Sequence, residues 1–259
     1  MSDLEFDERG AKRLLAVYTT PDVAGQREAF LRVLAPRPGE RILDVGCGPG
    51  FLASRIADEV GPSGAVHGID VSDPLLAAAR AHCARQPWVA LQHGDAMQLQ
   101  FGDASFDAVI STQVLEYVRD VDVALAGMRR VLRPGGRAVI VDTDWDSIVW
   151  HSRDPARMNR MLAAWERHAA DVRLPRTLAG RLRRAGFDVR SQEVLPLLNP
   201  AYDPNTYSGQ MIDLIAAFLV SKGGIEREEV ARWAQDLKTG GDYFFSLNRY
   251  LFAGTASGR

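Results

Sequence analysis

The sequence predicts an α/β fold built on a parallel, doubly wound sheet. Short apolar runs alternate with helical patterns along the first 141 residues, as βαβ units require. The runs are almost continuously apolar, which is typical of strands that helices cover on both faces. A glycine-rich turn at residues 46–50 joins the first run to a helical pattern. Ligands of such sheets bind at the carboxyl ends of the strands, so we expect a site beside this turn.

Each element follows from its own pattern of apolar and breaking residues. Strands are predicted where apolar residues run together, and helices where they recur every three or four positions. Pro74 opens the second helix behind a cap at Ser72 or Asp73, and residues 134–136, Pro-Gly-Gly, precede the fifth strand. The predicted strands span residues 41–45, 65–70, 89–93, 106–111, 137–141, 187–195 and 243–253. The predicted helices span residues 51–60, 74–85, 121–132, 155–170 and 177–185.

Residues 196–241 form an insertion before the last predicted strand. Two helical patterns, at about 206–220 and 225–237, are separated there by Gly223 and Gly224. The insertion is longer than a connection between strands requires, and long ordered insertions are commonly functional. We expect a helical lid over the site, and a dimerisation element is the alternative.

Composition excludes several classes of protein. With 46% hydrophobic and 25% charged residues, the 259-residue chain is neither disordered nor a disulfide-stapled miniprotein. The net charge of -2 gives the whole molecule no electrostatic reason to bind nucleic acid or an anionic membrane. Cys47 and Cys83 lack the spacing of metal ligands, and the acidic start lacks the apolar core of a secretion signal. We expect a cytoplasmic protein without a membrane span.

The glycine turn distinguishes two classes of nucleotide ligand. It has the spacing Gly46-x-Gly48-x-Gly50, whereas a dinucleotide fingerprint places its third glycine later, as G-x-G-x-x-G. Asp44 precedes the turn, and Asp70 ends the next strand, where a carboxylate can accept hydrogen bonds from ribose hydroxyls. A carboxylate repels a pyrophosphate but attracts a sulfonium or an ammonium group. The turn therefore favours a cationic ligand.

Four motifs in order carry a family resemblance. They are Leu-Asp-Val-Gly-Cys-Gly-Pro-Gly at 43–50, Asp70, Gly-Asp-Ala at 94–96 and the strand from Phe106 to Val118, followed by a Pro-Gly-Gly turn. With them the sequence resembles the class I S-adenosylmethionine-dependent methyltransferases, close to the ubiquinone/menaquinone methyltransferase-like group (methyltransferase type 11). The resemblance is strong over residues 38–142. It implies a Rossmann-like sheet of seven strands, the last antiparallel, with helices on both faces.

The resemblance also implies a domain organisation and a cofactor site. One methyltransferase domain would span residues 1–259, with an N-terminal helical cap at 1–35 and a cofactor-binding core at 36–142. The cofactor would be S-adenosylmethionine, the product S-adenosylhomocysteine, and no metal is implied. The glycines would wrap the methionine moiety, Asp70 would hold the ribose and Asp95 the adenine amino group. The full cofactor set is Asp44, Gly46, Cys47, Gly48, Gly50, Asp70, Val71, Gly94, Asp95, Ala96, Met97, Ser111, Thr112 and Gln113.

Candidates for chemistry on the acceptor are fewer. His151, after the fifth strand, is a possible general base because histidine exchanges protons near neutral pH, although it could equally be structural. Tyr18 stands where related enzymes close an N-terminal segment over the cofactor, and could contact the methionine carboxylate or the acceptor. We expect the acceptor itself to meet Tyr117, Trp145, Tyr207 and Met211.

The expected acceptor is a small molecule, secondary-metabolite or quinone-like, methylated on oxygen, nitrogen or carbon. The fourth strand ends in Ser-Thr-Gln-Val, whereas enzymes that methylate planar nitrogens have an Asn/Asp-Pro-Pro-Tyr/Phe pattern there. The chain also lacks the strongly basic terminus that would indicate a nucleic-acid acceptor. Residues 153–190 contain ten arginines and four acidic residues, which is either a solvated face or a site for an anionic substrate.

Two other functions remain open, a nicotinamide-dependent oxidoreductase and a non-catalytic regulatory protein that binds the cofactor. A monomer and a homodimer are both compatible with the sequence.

Overall fold

The computed structural model describes residues 8–257 and contains one seven-stranded sheet. The strand order is β3-β2-β1-β4-β5-β7-β6, and β7 runs antiparallel to both of its neighbours while the other neighbouring strands run parallel. The predicted fold class is therefore confirmed. The strands are β1 (Arg41–Val45), β2 (Ala65–Asp70), β3 (Val89–His93), β4 (Phe106–Thr112), β5 (Leu132–Trp150), β6 (Phe187–Asn199) and β7 (Phe245–Ala256).

Nine α-helices lie in the described part of the chain. Four of them have a short polar side chain at the N-cap that accepts from the backbone N–H three residues further along the chain. These N-cap residues are Ser72, Asp120, Asp154 and Thr206. The helices are α1 (Glu8–Tyr18), α2 (Pro21–Leu34), α3 (Phe51–Val60), α4 (Asp73–His82), α5 (Val121–Val131), α6 (Pro155–Trp165), α7 (Pro175–Arg184), α8 (Tyr207–Phe218) and α9 (Arg227–Thr239). None of these helices is long and apolar enough to cross a membrane.

The hydrophobic core consists of three clusters, one on each face of the sheet and one at the ends of three strands. Helices α2 and α3 pack on one face, against strand residues such as Ile42 and Ile110. Helices α5 and α7 pack on the other face, against Leu43 and Val109. A third cluster joins α1, α6, α8 and α9 to the ends of β5, β6 and β7. Burial of both sheet faces explains why the parallel strands are nearly continuous apolar runs.

Strands β5 and β6 are longer than the sequence predicts. We predicted β5 to end at Val141, but its pairing with β7 continues through an irregular stretch to Trp150, which lies opposite Phe245. Pairing with β7 likewise carries β6 to Asn199. Alternating patterns in each strand alone do not reveal this extension, because a partner distant in sequence supplies the hydrogen bonds. The predicted 155–170 helix also ends early, at Trp165, and a 3₁₀ turn (Glu166–His168) follows.

An ion pair joins the amino-terminal ends of β1 and β5 to the end of α2. The guanidinium of Arg137 donates to both carboxylate oxygens of Glu40, at 2.8 and 2.6 Å, and to the Leu34 carbonyl at 3.1 Å. Glu40 is 7% exposed and also accepts from the Arg37 N–H. Burial raises the pKa of Glu40, but these hydrogen bonds outweigh burial and hold the pKa below its ordinary value.

We expect Arg137→Gln to lower the free energy of unfolding by about 2–4 kcal/mol at pH 7, because it leaves a buried carboxylate without its bidentate partner. A lowered carboxyl pKa stabilises the fold above the unfolded-state pKa and ceases to do so as pH falls, so the loss should shrink below pH 4. Urea denaturation at pH 7 and at pH 3 measures both effects. The control is Arg133→Gln, since Arg133 is 55% exposed in its pair with Asp107; equal losses for the two variants would contradict this assignment.

Candidate functional site

A cavity of about 500 Å³ opens at the carboxyl ends of β1, β2 and β4. In the sheet, β1 lies between β2 and β4. The connection after β1 therefore leads to one side of it and the connection after β3 to the other side, and a crevice forms between them at the carboxyl end of β1. Thirteen of the residues predicted from the sequence line it: Tyr18, Gly46, Cys47, Gly48, Asp70, Val71, Gly94, Asp95, Ala96, Met97, Thr112, Gln113 and Tyr117.

The glycine turn forms the floor of the cavity through its backbone. The N–H groups of Gly46 and Cys47 donate to the Ile69 carbonyl at 2.8 and 2.9 Å, which holds the turn against the end of β2. Gly46 has φ 75°, and a Cβ there would overlap the side chain of Val114. Gly50, at φ 78°, does not line the cavity; a Cβ on it would stand 3.0 Å from Ala79 on α4. Its role is close packing of the turn against α4.

Asp70 lies at the end of β2 and faces the turn. One carboxylate oxygen accepts from the Gly48 N–H and the other from the Ser72 N–H, both at 2.8 Å. Burial raises the pKa of Asp70 while these backbone donors oppose the rise. Each carboxylate oxygen has two lone pairs, so Asp70 keeps capacity to accept from a ligand in the cavity.

Asp44 lies beneath the turn, at the end of β1. It is 1% exposed, and neither of its carboxylate oxygens has a hydrogen-bond partner among the described residues. Burial, with a smaller contribution from the negative charge of Asp70, raises the pKa of Asp44 to about 7. Asp44 does not line the cavity, so its influence on a ligand acts through the turn above it.

The ends of β3 and β4 complete the side of the cavity on which the cofactor residues were predicted. Asp95 accepts from the Met97 N–H at 2.8 Å, which turns the chain and leaves both residues in the cavity wall. Gln113 has φ 57° and donates its N–H to the Val141 carbonyl at 2.7 Å. Its side chain accepts from the Thr143 hydroxyl at 2.5 Å. Ser111 is fully buried away from the cavity, since it lies within β4 and not at its end.

The opposite end of the cavity is formed by aromatic and polar groups from distant elements. Tyr117 beyond β4, Gln26 of α2, Leu195 of β6 and Arg249 of β7 line it. Tyr18 of α1 is close to both parts of the cavity, since its ring lies 4.0 Å from where a Cβ on Gly48 would stand and its phenol senses the charge of Arg249. Burial raises the pKa of both tyrosines well above its ordinary value, so both phenols are neutral at physiological pH.

Two buried carboxyl groups lie behind this wall. Glu116 and Asp142 are both fully buried, and Asp142 accepts from the N–H groups of Val114 and Glu116. Glu116 accepts from the Thr143 N–H at 3.0 Å. Burial raises the pKa of Glu116 to about 7, and burial together with the charge of Glu116 raises that of Asp142. Neither group lines the cavity, and together they hold the β4 and β5 ends in register.

Four predicted acceptor or catalytic residues lie outside the cavity wall. Trp145, Tyr207 and Met211 are buried in the cluster of α1, α6, α8 and α9. Tyr207 lies directly behind the wall, with its ring 5.0 Å from the guanidinium carbon of Arg249. The side chain of His151 is exposed, and its backbone N–H donates to the Phe244 carbonyl. Strand β5 continues eight residues beyond Asp142, from a position opposite Tyr250 to one opposite Phe245. At about 3.3 Å per β7 residue, His151 therefore lies roughly 15–20 Å along the sheet from Asp142.

The sequence analysis missed Gln26, Arg27, Leu195 and Arg249. Arg249 had a detectable pattern, since it is a charged residue in the alternating series of buried positions that otherwise holds Phe245, Leu247 and Leu251. Gln26 and Arg27 lie in an ordinary amphipathic helix, and nothing in their sequence context marks them. Their place in the wall depends on how α2 packs over the sheet.

The arginine-rich segment 153–190 is largely neutralised by its neighbours. Arg176 donates to both oxygens of Asp144, at 2.8 and 3.0 Å, and Arg173 pairs with Asp146 and Glu166. Further pairs are Arg157 with Asp154 and Asp236, Arg160 with Glu229, Arg181 with Asp122 and Arg190 with Asp188. The geometry supports the solvated-face interpretation. Among residues 8–257, no cluster of three His, Cys, Asp or Glu side chains is arranged to hold a metal ion.

Comparison with known sequences identifies both close and partial relatives. A family profile described as a methyltransferase domain matches residues 43–140. An uncharacterized 37.1 kDa protein in transposon TN4556 of Streptomyces fradiae is 35% identical over 246 residues, which are 92% of this chain and 69% of that protein. Demethylmenaquinone methyltransferase of Staphylococcus aureus is 42% identical over 117 residues, 45% of this chain. The matched region spans 48% of the length of that enzyme.

Solved structures match nearly the whole chain. Phosphoethanolamine N-methyltransferase 2 of Haemonchus contortus, in complex with S-adenosylmethionine, superposes with a TM-score of 0.63 at 22% identity, covering 97% of this chain and 57% of that one. The 4+2 cyclase SpnF superposes with a TM-score of 0.58 at 26% identity, covering 91% and 82%. With the sheet order, the glycine turn between β1 and α3 and the carboxylate at the end of β2, these matches show that the chain belongs to the class I S-adenosylmethionine-dependent methyltransferase family.

Proposed function

We propose that the chain transfers the methyl group of S-adenosylmethionine to a small-molecule acceptor bound in the same cavity. The observation that carries this proposal is the buried carboxylate of Asp44, which has no hydrogen-bond partner and lies beneath the glycine turn. With Asp70 beside it, this end of the cavity is acidic. An acidic site attracts an ammonium or a sulfonium group and repels the pyrophosphate of a nicotinamide dinucleotide.

The residues present fit each part of the cofactor. Backbone groups of Gly46 and Gly48 would contact the methionine moiety, since no side chain blocks their approach. Asp70 would accept from the ribose hydroxyls and Asp95 from the adenine amino group, with Met97 and Val71 against the ring. When bound, the cofactor supplies a methyl group on a positively charged sulfur that is already activated for displacement.

The chain's own contribution is to position the acceptor and exclude water. Tyr18, Tyr117 and Gln113 line the cavity beyond the glycine turn, and their polar groups can orient an acceptor by hydrogen bonds. Well-oriented reactants can gain about 7–11 kcal/mol from positioning alone, so a general base is not required. Because burial raises the pKa of both phenols, the two tyrosines act as neutral hydrogen-bonding groups.

We propose that residues 8–35 and 196–241 act together as cap and lid. Helix α8 packs on α1 and α2, and Asp22 of α2 accepts from the Tyr207 N–H at 2.5 Å and from the Asn199 side chain. These contacts connect the two segments directly over the cluster behind the acceptor end. Residues 1–7 of the predicted cap lie outside the described residues.

Several features support a small acceptor over a polymer. The net charge is -2, and the arginines of segment 153–190 are largely paired. The matched demethylmenaquinone methyltransferases point to a quinone-like or related secondary-metabolite acceptor. We propose a cytoplasmic enzyme without a resident metal or nucleic-acid partner, and a monomer or homodimer remains the prediction for its assembly.

Calorimetry with S-adenosylhomocysteine and with NAD tests the donor side. We expect the homocysteine adduct to bind and NAD not to bind, and the reverse would identify an oxidoreductase. Incubation with S-adenosylmethionine labelled in the methyl group, in a small-molecule extract, tests turnover. Label should pass to an extract component, and cofactor binding without any transfer would favour a regulatory protein.

We expect Asp70→Ala to weaken S-adenosylhomocysteine binding by about 10- to 100-fold, through loss of a charge-assisted hydrogen bond of about 1.5–3 kcal/mol. Asp73→Ala is the control, because Asp73 is exposed three residues further on and does not line the cavity. Titration calorimetry measures both dissociation constants. An unchanged affinity in Asp70→Ala would remove the ribose assignment.

We expect binding of S-adenosylhomocysteine at pH 6.5 to release about half a proton from Asp44. With a pKa raised to about 7, the carboxyl is mostly protonated in the free protein at that pH. The ligand's ammonium group favours the carboxylate and lowers this pKa, so the proton leaves and affinity rises from pH 6 to pH 8.

Calorimetry in buffers of different ionisation enthalpy counts the protons released. Asp44→Asn should bind more weakly and release fewer protons, whereas Glu59→Gln, which alters an exposed carboxylate of α3, should behave like the unsubstituted protein. Equal proton release by Asp44→Asn and the unsubstituted protein would show that Asp44 does not sense the ligand.

A further inference from the structure

Arg249 is a cationic side chain buried in the cavity wall. It is 5% exposed and lines the cavity at the acceptor end. Its position in β7 is opposite Thr143 of β5 and Leu195 of β6, just beyond Val141, the last β5 residue that pairs with β4. Burying an uncompensated charge costs several kcal/mol, so a cation at this position requires a reason.

The contacts of Arg249 leave much of its hydrogen-bonding capacity unused. One terminal nitrogen donates to the Gln26 side chain at 2.7 Å, and the guanidinium lies over the Tyr207 ring and also hydrogen-bonds to the Tyr207 hydroxyl. The Nε group has no hydrogen-bond partner, and within residues 8–257 no carboxylate forms an ion pair with it. A guanidinium has five N–H donors in a planar fork that matches an oxyanion.

The titratable groups around Arg249 do not cancel its charge. Tyr18, Tyr117 and Tyr207 are neutral, because burial raises the pKa of each phenol. Glu116 is the carboxyl whose pKa Arg249 lowers, yet burial keeps that pKa near 7, so its negative charge is partial at neutral pH. Asp70 lies at the cofactor end, where it accepts from the Gly48 and Ser72 N–H groups.

The position of β7 separates Arg249 from the proposed cofactor. Three steps across the sheet, from β1 through β4 and β5, lead to β7. At about 4.8 Å per step this is roughly 14 Å. A second arginine, Arg27, lies nearer the glycine turn, with its guanidinium over the Phe51 ring at the start of α3 and a hydrogen bond to the Tyr18 carbonyl, so the cofactor end has a cation of its own. Arg249 is therefore placed for the acceptor.

We propose that Arg249 binds an oxyanion of the methyl acceptor, so that the acceptor is a small molecule with a carboxylate or phosphate group. This inference rests on the proposed methyltransferase function. Leu195, which lies opposite Arg249 in the sheet, lines the cavity together with Val23 and Phe30, so the body of the acceptor is apolar or aromatic. Arg249 acts as a specificity-determining residue: it orients the acceptor by its anionic group and leaves the accepting atom near Tyr18 and Tyr117.

The test uses the protein saturated with S-adenosylhomocysteine and three small probes. Benzoate and phenyl phosphate carry the two oxyanions, and benzamide is the neutral analogue of benzoate. Titration calorimetry compares the unsubstituted protein with Arg249→Gln. The control is Arg190→Gln, which removes an equal charge at a position paired with Asp188 on the sheet edge. We expect one anion or both to bind the unsubstituted protein at least tenfold more tightly than benzamide does.

Arg249→Gln should lose at least tenfold in anion affinity and keep its affinity for S-adenosylhomocysteine within threefold, while Arg190→Gln should change neither. A preference for benzoate or for phenyl phosphate identifies the oxyanion. The inference is overturned if neither anion binds, if benzamide binds equally well, or if Arg249→Gln keeps its anion affinity. It is also overturned if that variant loses the homocysteine adduct in the same proportion.

Failure of the unsubstituted protein to bind S-adenosylhomocysteine is a different result, because it overturns the proposed function itself. If Arg249→Gln does not fold, Arg249→Lys replaces it. Lysine keeps the charge but not the planar fork, so anion affinity should fall several-fold while benzamide affinity stays unchanged. Equal anion affinity in Arg249→Lys and the unsubstituted protein would then count against recognition by the guanidinium.

Discussion

The burial of the Asp44 carboxylate is the constraint around which the site is arranged. At 1% exposure and without a hydrogen-bond partner, this group is unfavourable in its ionised form, and its raised pKa expresses that cost. It can occupy the end of β1 because the turn above it is made of glycines, which leave the backbone open to the cavity. The Gly46 and Cys47 N–H groups are engaged by the Ile69 carbonyl and do not neutralise it. In the free protein protonation relieves part of this cost, and in our proposal a cationic ligand above the turn compensates the carboxylate when it binds.

The acceptor end depends on a different feature, the antiparallel strand β7. A parallel sheet would end near Val141, but pairing with β7 extends β5 to Trp150 and brings Arg249 beside Thr143. The same β5–β7 pairing forms the surface on which α6, α8 and α9 pack. It therefore accounts both for the apolar cluster behind the cavity and for the position of Arg249 in the cavity wall. The cofactor end is therefore formed by local loops, whereas the acceptor end is formed by contacts between distant segments.

This difference explains how much the sequence alone could predict. The turn from Gly46 to Gly50 and the carboxylate of Asp70 are determined by short motifs on adjacent elements, and most of them line the cavity as expected. His151 was placed near the site because it follows β5 closely in sequence, but the extension of β5 moves it away. Arg249 becomes part of the wall only through the register of β5, β6 and β7, which a single sequence does not encode in any short pattern. The predicted ends of β5 and β6 were wrong because pairing with β7, which is distant in sequence, determines where these strands end.

The two charged ends of the cavity do not compensate each other. The carboxylates of Asp44 and Asp70 stand at β1 and β2, and the Arg249 guanidinium extends from β7, so the strand spacing of about 4.8 Å keeps their attachment points roughly 14 Å or more apart. Asp44 avoids part of the cost of its burial by protonation near neutral pH, whereas Asp70 and Arg249 have no ion-pair partner among residues 8–257, so the free protein is less stable than its core would allow. A ligand that binds only the folded state returns part of this stability in proportion to its occupancy. Neutral, well-packed residues at these positions would stabilise the fold and remove the site, which is the usual conflict between stability and function.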